Sequence, residues 1–270
     1  MMVTDKKYFM EKDLVEQLEF LKDCVAQKWD AVILIDGVEG SGKSSFAFQI
    51  AYYLDRGFNL NKIVFTPEEF VEAVDNASVG DFILWDEFSL AGLSTDAMTK
   101  VQGTILKKMT TIRSKRLYIG LIISWVFELR KYFAVGRTRF LIHTNVAQDG
   151  ITRGKFKVWG FDSKRKLYFK GKKDYSYSVS ADMRGSFPLT DGIFFDLDAY
   201  EKKKQDAIKT IDFDNHKDTK YKSQRDECIM LADDEGVPKI KIADRLGITD
   251  RGIRFIVSEG RKKKKNILGE

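Results

Sequence analysis

The chain has 270 residues, 43% of them hydrophobic and 32% charged, the balance of a globular protein with room for one large domain and a small one. No stretch reaches the roughly 18 apolar residues of a membrane helix; the longest apolar run, residues 117–127, is broken by Gly120 and Ser124. The formal charge is +6, and residues 236–270 alone hold ten Lys and Arg against four Asp and Glu, so the cationic excess sits at the C-terminal end and suits a polyanion.

In chain order, residues 10–28 read as a helix, with Leu14, Leu18, Leu21 and Val25 recurring every three or four positions. The thiols Cys24 and Cys228 and the imidazoles His143 and His216 make no metal-spacing pattern, and the thiols read as reduced and cytosolic. The start of the chain mixes both charge signs without a long apolar segment, so no signal peptide is expected and the location reads as cytoplasmic. A short apolar strand, Ala31-Val32-Ile33-Leu34-Ile35, then runs into Gly37-Val38-Glu39-Gly40-Ser41-Gly42-Lys43-Ser44, a complete G-x-x-x-x-G-K-S loop. A helix beginning near Ser45 follows. Strand, glycine loop and helix N-terminus make an anion cradle, whose backbone N–H groups turn towards phosphate oxygens. Residues 37–45 are therefore the expected nucleotide-binding set, with Lys43 reaching the β- and γ-phosphates and Ser44 holding Mg²⁺.

Residues 62–65 read as a second strand. Thr66-Pro67-Glu68-Glu69 starts a helix, with Thr66 as cap, Pro67 in the first position and Glu69 closing a capping box. Phe82-Ile83-Leu84-Trp85-Asp86-Glu87 is a buried strand with two acids at its C-terminal end. Such a pair can serve Mg²⁺ through its water shell and activate an attacking water. A helix is expected over residues 96–115, a strand over 117–124, a short helix over 126–133 and a strand over 138–144. Alternating strands and helices predict an α/β fold with a mainly parallel sheet flanked by helices. Beyond it, residues 154–161 and 166–170 flank Asp162-Ser163-Lys164-Arg165 and read as a basic, aromatic β-hairpin. Its aromatics suit either a buried sheet face or base stacking.

Residues 181–222 read as a connector with one helix near 199–209. Residues 223–259 read as three helices, with Cys228, Ile229, Leu231 and Ala232 facing inward on the first. The pattern resembles a helix-turn-helix: Ala243 is small at a helix crossing, Gly247 turns the chain, Ile248 plugs the core and Thr249 caps the next helix. The expected domains are 1–180 (ATPase), 181–222 (connector), 223–260 (helix-turn-helix) and 261–270 (basic tail).

The loop together with Asp86-Glu87 resembles the additional-strand, catalytic-glutamate division of P-loop ATPases, which includes RecA-like and FtsK/HerA-like motors. The likeness covers roughly residues 30–170 and implies a RecA-like core. It implies that Asp86 is the Walker B metal acid, that Glu87 is the catalytic glutamate and that the strand ending at Ser124 lies between the acid strand and the loop strand. Ser124 then takes the polar sensor position, although FtsK/HerA motors often carry Gln there. It also implies an arginine from a neighbouring subunit, with Arg137 and Arg139 favoured, in a homo-oligomer such as a hexameric ring. The implied cofactors are ATP and Mg²⁺. The compact core is similar to ATPases of viruses and plasmids, which implies genome packaging, replication or DNA transfer. Helix-turn-helix geometry implies DNA contact through Thr249, Arg251, Arg254, Arg261, Lys262 and Lys263. Two alternatives keep the loop: a nucleoside or nucleotide kinase, and a DNA-binding regulator switched by ATP.

Overall fold

The computed structural model describes residues 2–3, 8–88, 99–147, 149–190 and 192–268, with side chains described except at 2–3, 99–104, 208, 210–223 and 262–268. Residues 96–98 of the expected fourth helix, and the side chains of Lys262 and Lys263, lie outside what is described. The chain divides into two compact units, Met1–Ala207 and Ile208–Glu270.

In the first unit, strands β1 (Met2–Val3) and β2 (Phe9–Met10) form a small antiparallel pair. Helix α1 (Lys12–Ala26) buries the predicted stripe of Leu14, Leu18, Leu21 and Val25. β3 (Ala31–Gly37) is buried along its whole length and runs through the phosphate loop into α2 (Lys43–Leu54). β4 is Ile63–Val64, and α3 (Pro67–Asn76) begins at the Thr66–Glu69 capping box, with both reciprocal bonds made. β5 (Phe82–Trp85), α4 (Thr99–Lys115), β6 (Tyr118–Ile122) and β7 (Phe140–Asn145) follow. Strands β4, β5, β6, β3 and β7 stand parallel in that order, and β8 (Lys155–Trp159) and β9 (Met183–Ser186) extend the sheet antiparallel. Period-two alternation places Ala31, Ile33 and Ile35 in the core on one face, and Val32 and Leu34 in the core on the other. This mostly parallel, helix-flanked sheet, with β6 between the acid strand and the loop strand, is consistent with the RecA-like P-loop NTPase core that the motif implies.

Three local expectations are corrected. Residues 155–159 form a strand, but the expected second arm of the hairpin is helix α5 (Phe161–Gly171). Its inward residues are Lys164, Leu167, Tyr168 and Gly171, a 3.6-residue stripe, and burying the adjacent pair Leu167 and Tyr168 on one side is impossible for a strand. The antiparallel partner of β8 is β9 instead, drawn from the supposed connector. Phe156, Trp159 and Tyr168 are buried, so they serve the core and not base stacking. Residues 126–133 are not one helix: a 3₁₀ turn covers Val126–Glu128 and a π-helical turn covers Tyr132–Arg137. The helix expected near 199–209 is the start of α6 (Leu197–Asp234), 38 residues long.

The second unit contains the end of α6, α7 (Lys239–Leu246) and α8 (Asp250–Leu268) around Ile229, Met230, Ile242, Ala243, Ile253 and Val257. Met230, not Cys228 or Leu231, accompanies Ile229 inward; Cys228 and Leu231 are exposed. Ile229 and Ala232 do pack inward as read, and Met230 joins them where the α8 backbone at Gly260 comes so close that a Cβ there would lie 2.6 Å from its sulfur. Gly247 turns with φ +62°, Ile248 packs against the cluster, and Thr249 Oγ1 accepts from Gly252 N at 3.2 Å. The last helix, expected to stop near residue 258, runs to Leu268. Among the described residues no helix is long and apolar enough to cross a membrane.

Candidate nucleotide site

The loop stands at the C-terminal edge of the parallel strands, where β3 hands over to α2. Gly37, at φ +145°, packs so tightly under Thr144 of β7 that any Cβ would strike its carbonyl, so only glycine fits. Ser41 Oγ donates to the Val38 carbonyl at 2.7 Å and lies 2.7 Å from Thr144 Oγ1, tying the loop to β7. Lys43 Nζ folds over the loop and donates to the carbonyls of Gly37 (2.8 Å) and Val38 (3.1 Å), which holds it where phosphate oxygens would replace those acceptors. Burial pulls its pKa below the ordinary lysine range, with the charges of Glu87, Asp86, Asp36 and Glu39 opposing that fall.

The acid pair follows β5 at the same edge. Ser44 Oγ donates to Asp86 Oδ2 at 3.0 Å, so the two expected metal oxygens are brought together across the intervening strand. Asp86 is buried, and Glu87 takes a left-handed backbone, φ +59°, rare for a non-glycine residue and characteristic of functional corners. The Glu87 amide donates to Asp86 Oδ1 at 2.9 Å. Ser124 stands beside the loop, since its carbonyl accepts from Gly37 N at 3.4 Å. Val38 and Glu39 are exposed on the loop rim, and Ser45 Oγ accepts from Thr190 N at 3.0 Å.

Several residues around the site carry no motif. Tyr200 of α6 is buried and donates its hydroxyl to Asp86 Oδ2; Lys204, one turn on, pairs with Glu87 at 3.0 Å. Burial, then the Asp86 charge and bond, push the Tyr200 pKa upward, so it stays a donor. For Lys204, burial is outweighed by Asp86 and Glu87, and its pKa rises. Asp36, fully buried before the loop, accepts from Tyr177 Oη and Val126 N (3.1 Å) and lies 2.9 Å from His143 Nδ1. His143 could have been suspected from its place on the strand beside β3. Tyr177, Tyr200 and Lys204 carried no local signal, because long-range packing alone brings them in.

Arg137 and Arg139 lie at the other end of the sheet, beside the start of β3 and about 20 Å along it from the loop. Arg137 pairs with Asp30 and donates to the Met109 carbonyl at 3.0 Å; Arg139 lies over the Trp29 ring. Neither reaches the phosphate loop of its own chain. In the second unit Arg251, Arg254 and Arg261 are exposed, with Arg254 paired to Asp250 at 2.7 Å and Arg261 to Asp233 at 2.6 Å.

The chain is similar to the N-terminal domain of zonular occludens toxin from Neisseria meningitidis, with 14% identity and a TM-score of 0.41 over 62% of this chain and 97% of that one. It is also similar to the genome packaging NTPase B204 from Sulfolobus turreted icosahedral virus 2, solved in complex with AMP, with 14% identity and a TM-score of 0.35 over 51% of this chain and 95% of that one. The sequence matches no protein-family model and no curated protein.

Proposed function

We propose that the chain is a DNA-associated ATPase that hydrolyses Mg-ATP to move or remodel DNA and works as a homo-oligomer. The observation that carries the hydrolytic part is the Ser44–Asp86 bond at 3.0 Å, which closes the phosphate loop onto the acid pair. The residues present fit a magnesium nucleotide: Ser44 Oγ and Asp86 would hold Mg²⁺, Asp86 through water, and the ion would neutralise charge on the phosphate oxygens. Lys43 exchanges its two loop carbonyls for phosphate oxygens. Glu87 orients the attacking water and takes its proton. Tyr200 fixes the rotamer of Asp86, and Lys204 must release Glu87 before that carboxylate acts as base. The DNA part is supported by the net +6 of residues 236–270 and by the exposed Arg251 and Arg254 on α8.

The test is ATP turnover with and without DNA. Lys43→Ala removes the principal counter-charge of the phosphates and should abolish nucleotide binding or turnover. Glu87→Gln should retain nucleotide binding and lose roughly 10²-fold or more in turnover, the scale of general-base catalysis. Normal turnover by either variant defeats the assignment.

A further inference from the structure

At the edge of the sheet opposite the phosphate loop, a cavity of about 510 Å³ opens between the turn before β3, α4, the π-helical turn and the start of α5. Among the described residues, three guanidiniums line it, those of Arg113, Arg137 and Arg139, against a single carboxylate, Asp30. Asp30 is taken by Arg137. Arg113 and Arg139 lie 4.6 and 5.3 Å from the centroid of the Trp29 ring, and among the described residues their side chains make no hydrogen bond or ion pair. Two planar forks of N–H donors therefore face one cavity without an acceptor. Three rings on its wall are exposed: Trp29 is 45% exposed, Tyr132 42% and Phe161 53%.

We propose that this cavity binds single-stranded polynucleotide, with Arg113 and Arg139 holding backbone phosphates and Trp29, Tyr132 and Phe161 stacking bases. Unpaired guanidiniums call for phosphate or carboxylate. The rings separate the two: an acidic peptide has no use for three open aromatics, whereas every base has a face to stack. Duplex DNA keeps its bases inside and cannot reach them. The rings sit on three separate elements, which suits successive nucleotides of a strand better than one free nucleotide. This site needs no ATP turnover, so it stands or falls apart from the hydrolytic reading.

The test titrates full-length protein with a labelled oligothymidylate of about 20 nucleotides at several salt concentrations. Arg113→Gln with Arg139→Gln should weaken binding at least about tenfold and flatten the salt slope by about 1.4, two phosphates at roughly 0.7 each. Duplex affinity should stay within about twofold, and Mg-ATP affinity should be unchanged, which reports an intact fold at the distant loop. Tyr132→Ala should weaken the oligonucleotide and leave the salt slope alone, because stacking carries no charge. Unchanged oligonucleotide affinity in both variants overturns the proposal. So does an equal loss for duplex, or affinity no greater for the oligonucleotide than for free thymidine monophosphate. A loss of self-association in place of oligonucleotide binding would assign the cavity to a second copy of the chain and overturn it as well.

Discussion

Lys164 is wholly buried on α5, its ammonium spent on the carbonyl and hydroxyl of Thr138, and among the described residues no carboxylate pairs with it. Burial, with a further push from Arg139, brings its pKa down to about 7. In the unfolded chain the same group titrates near the ordinary lysine value, about 10.4. Between these values the unfolded chain holds a proton that the folded chain has released, so stability rises with pH across that window. Below pH 7 the folded protein bears the full cost of a buried charge. Lys164→Met should remove this dependence. Urea unfolding at pH 7 and pH 9 should show the parent gaining on the order of a few kcal/mol and the variant much less. Equal gains would mean that Lys164 remains charged in the fold. The comparison reads the difference between two pH values, so the Thr138 acceptors that the variant leaves unpaired do not confuse it.

At the scale of elements, α6 contributes most that the motifs could not announce. Its first turns deliver Tyr200 to Asp86 and Lys204 to Glu87, and Lys203 donates to the Ile63 carbonyl. Tyr200→Phe keeps the ring packed against Phe48, Phe65 and Phe195 and deletes one donor to a buried carboxylate. A hydrogen bond to a charged group contributes about 1.5–3 kcal/mol, and the variant should lose a stability of that order. Nucleotide affinity should fall by less than for Lys43→Ala, since Ser44 still holds Asp86. A variant as stable as the parent would show that the hydroxyl is satisfied elsewhere. The loop, the capping box and the acid strand were legible in the sequence because each is a local pattern, complete within a few residues. The second arm of the hairpin was misread because Lys166, Leu167, Tyr168, Phe169 and Lys170 suit a half-buried strand as well as a helix. Only the buried stripe from Lys164 to Gly171 decides between them, and that stripe includes a lysine, which no hydrophobic pattern would count. β9 was missed for a related reason: Met183, Arg184, Gly185 and Ser186 lack β-branched residues, and pairing with β8 makes them a strand.

For the whole molecule, charge and core are divided between the two units. The first unit, Met1–Ala207, contains the sheet, the phosphate loop, both acids, Tyr200 and Lys204. The second has its own small apolar cluster and carries the cationic C-terminal segment. Removing residues 208–270 therefore takes away no described group of the nucleotide site, and Mg-ATP binding should survive. Duplex DNA affinity should fall sharply and its salt dependence should flatten, because each lost phosphate contact removes about 0.9 from the log–log slope. Single-stranded binding should keep the part of its slope that belongs to Arg113 and Arg139. Arg254→Ala, on the exposed side of α8, should weaken preferred duplex sites more than random ones, as expected of a side chain that reads bases and not only phosphates. Titrations of the truncated and full-length proteins with duplex and single-stranded probes, each at two salt concentrations, distinguish these outcomes. Equal duplex affinity and equal slope after truncation would show that the C-terminal unit docks protein, and duplex binding would then have to be sought on the first unit.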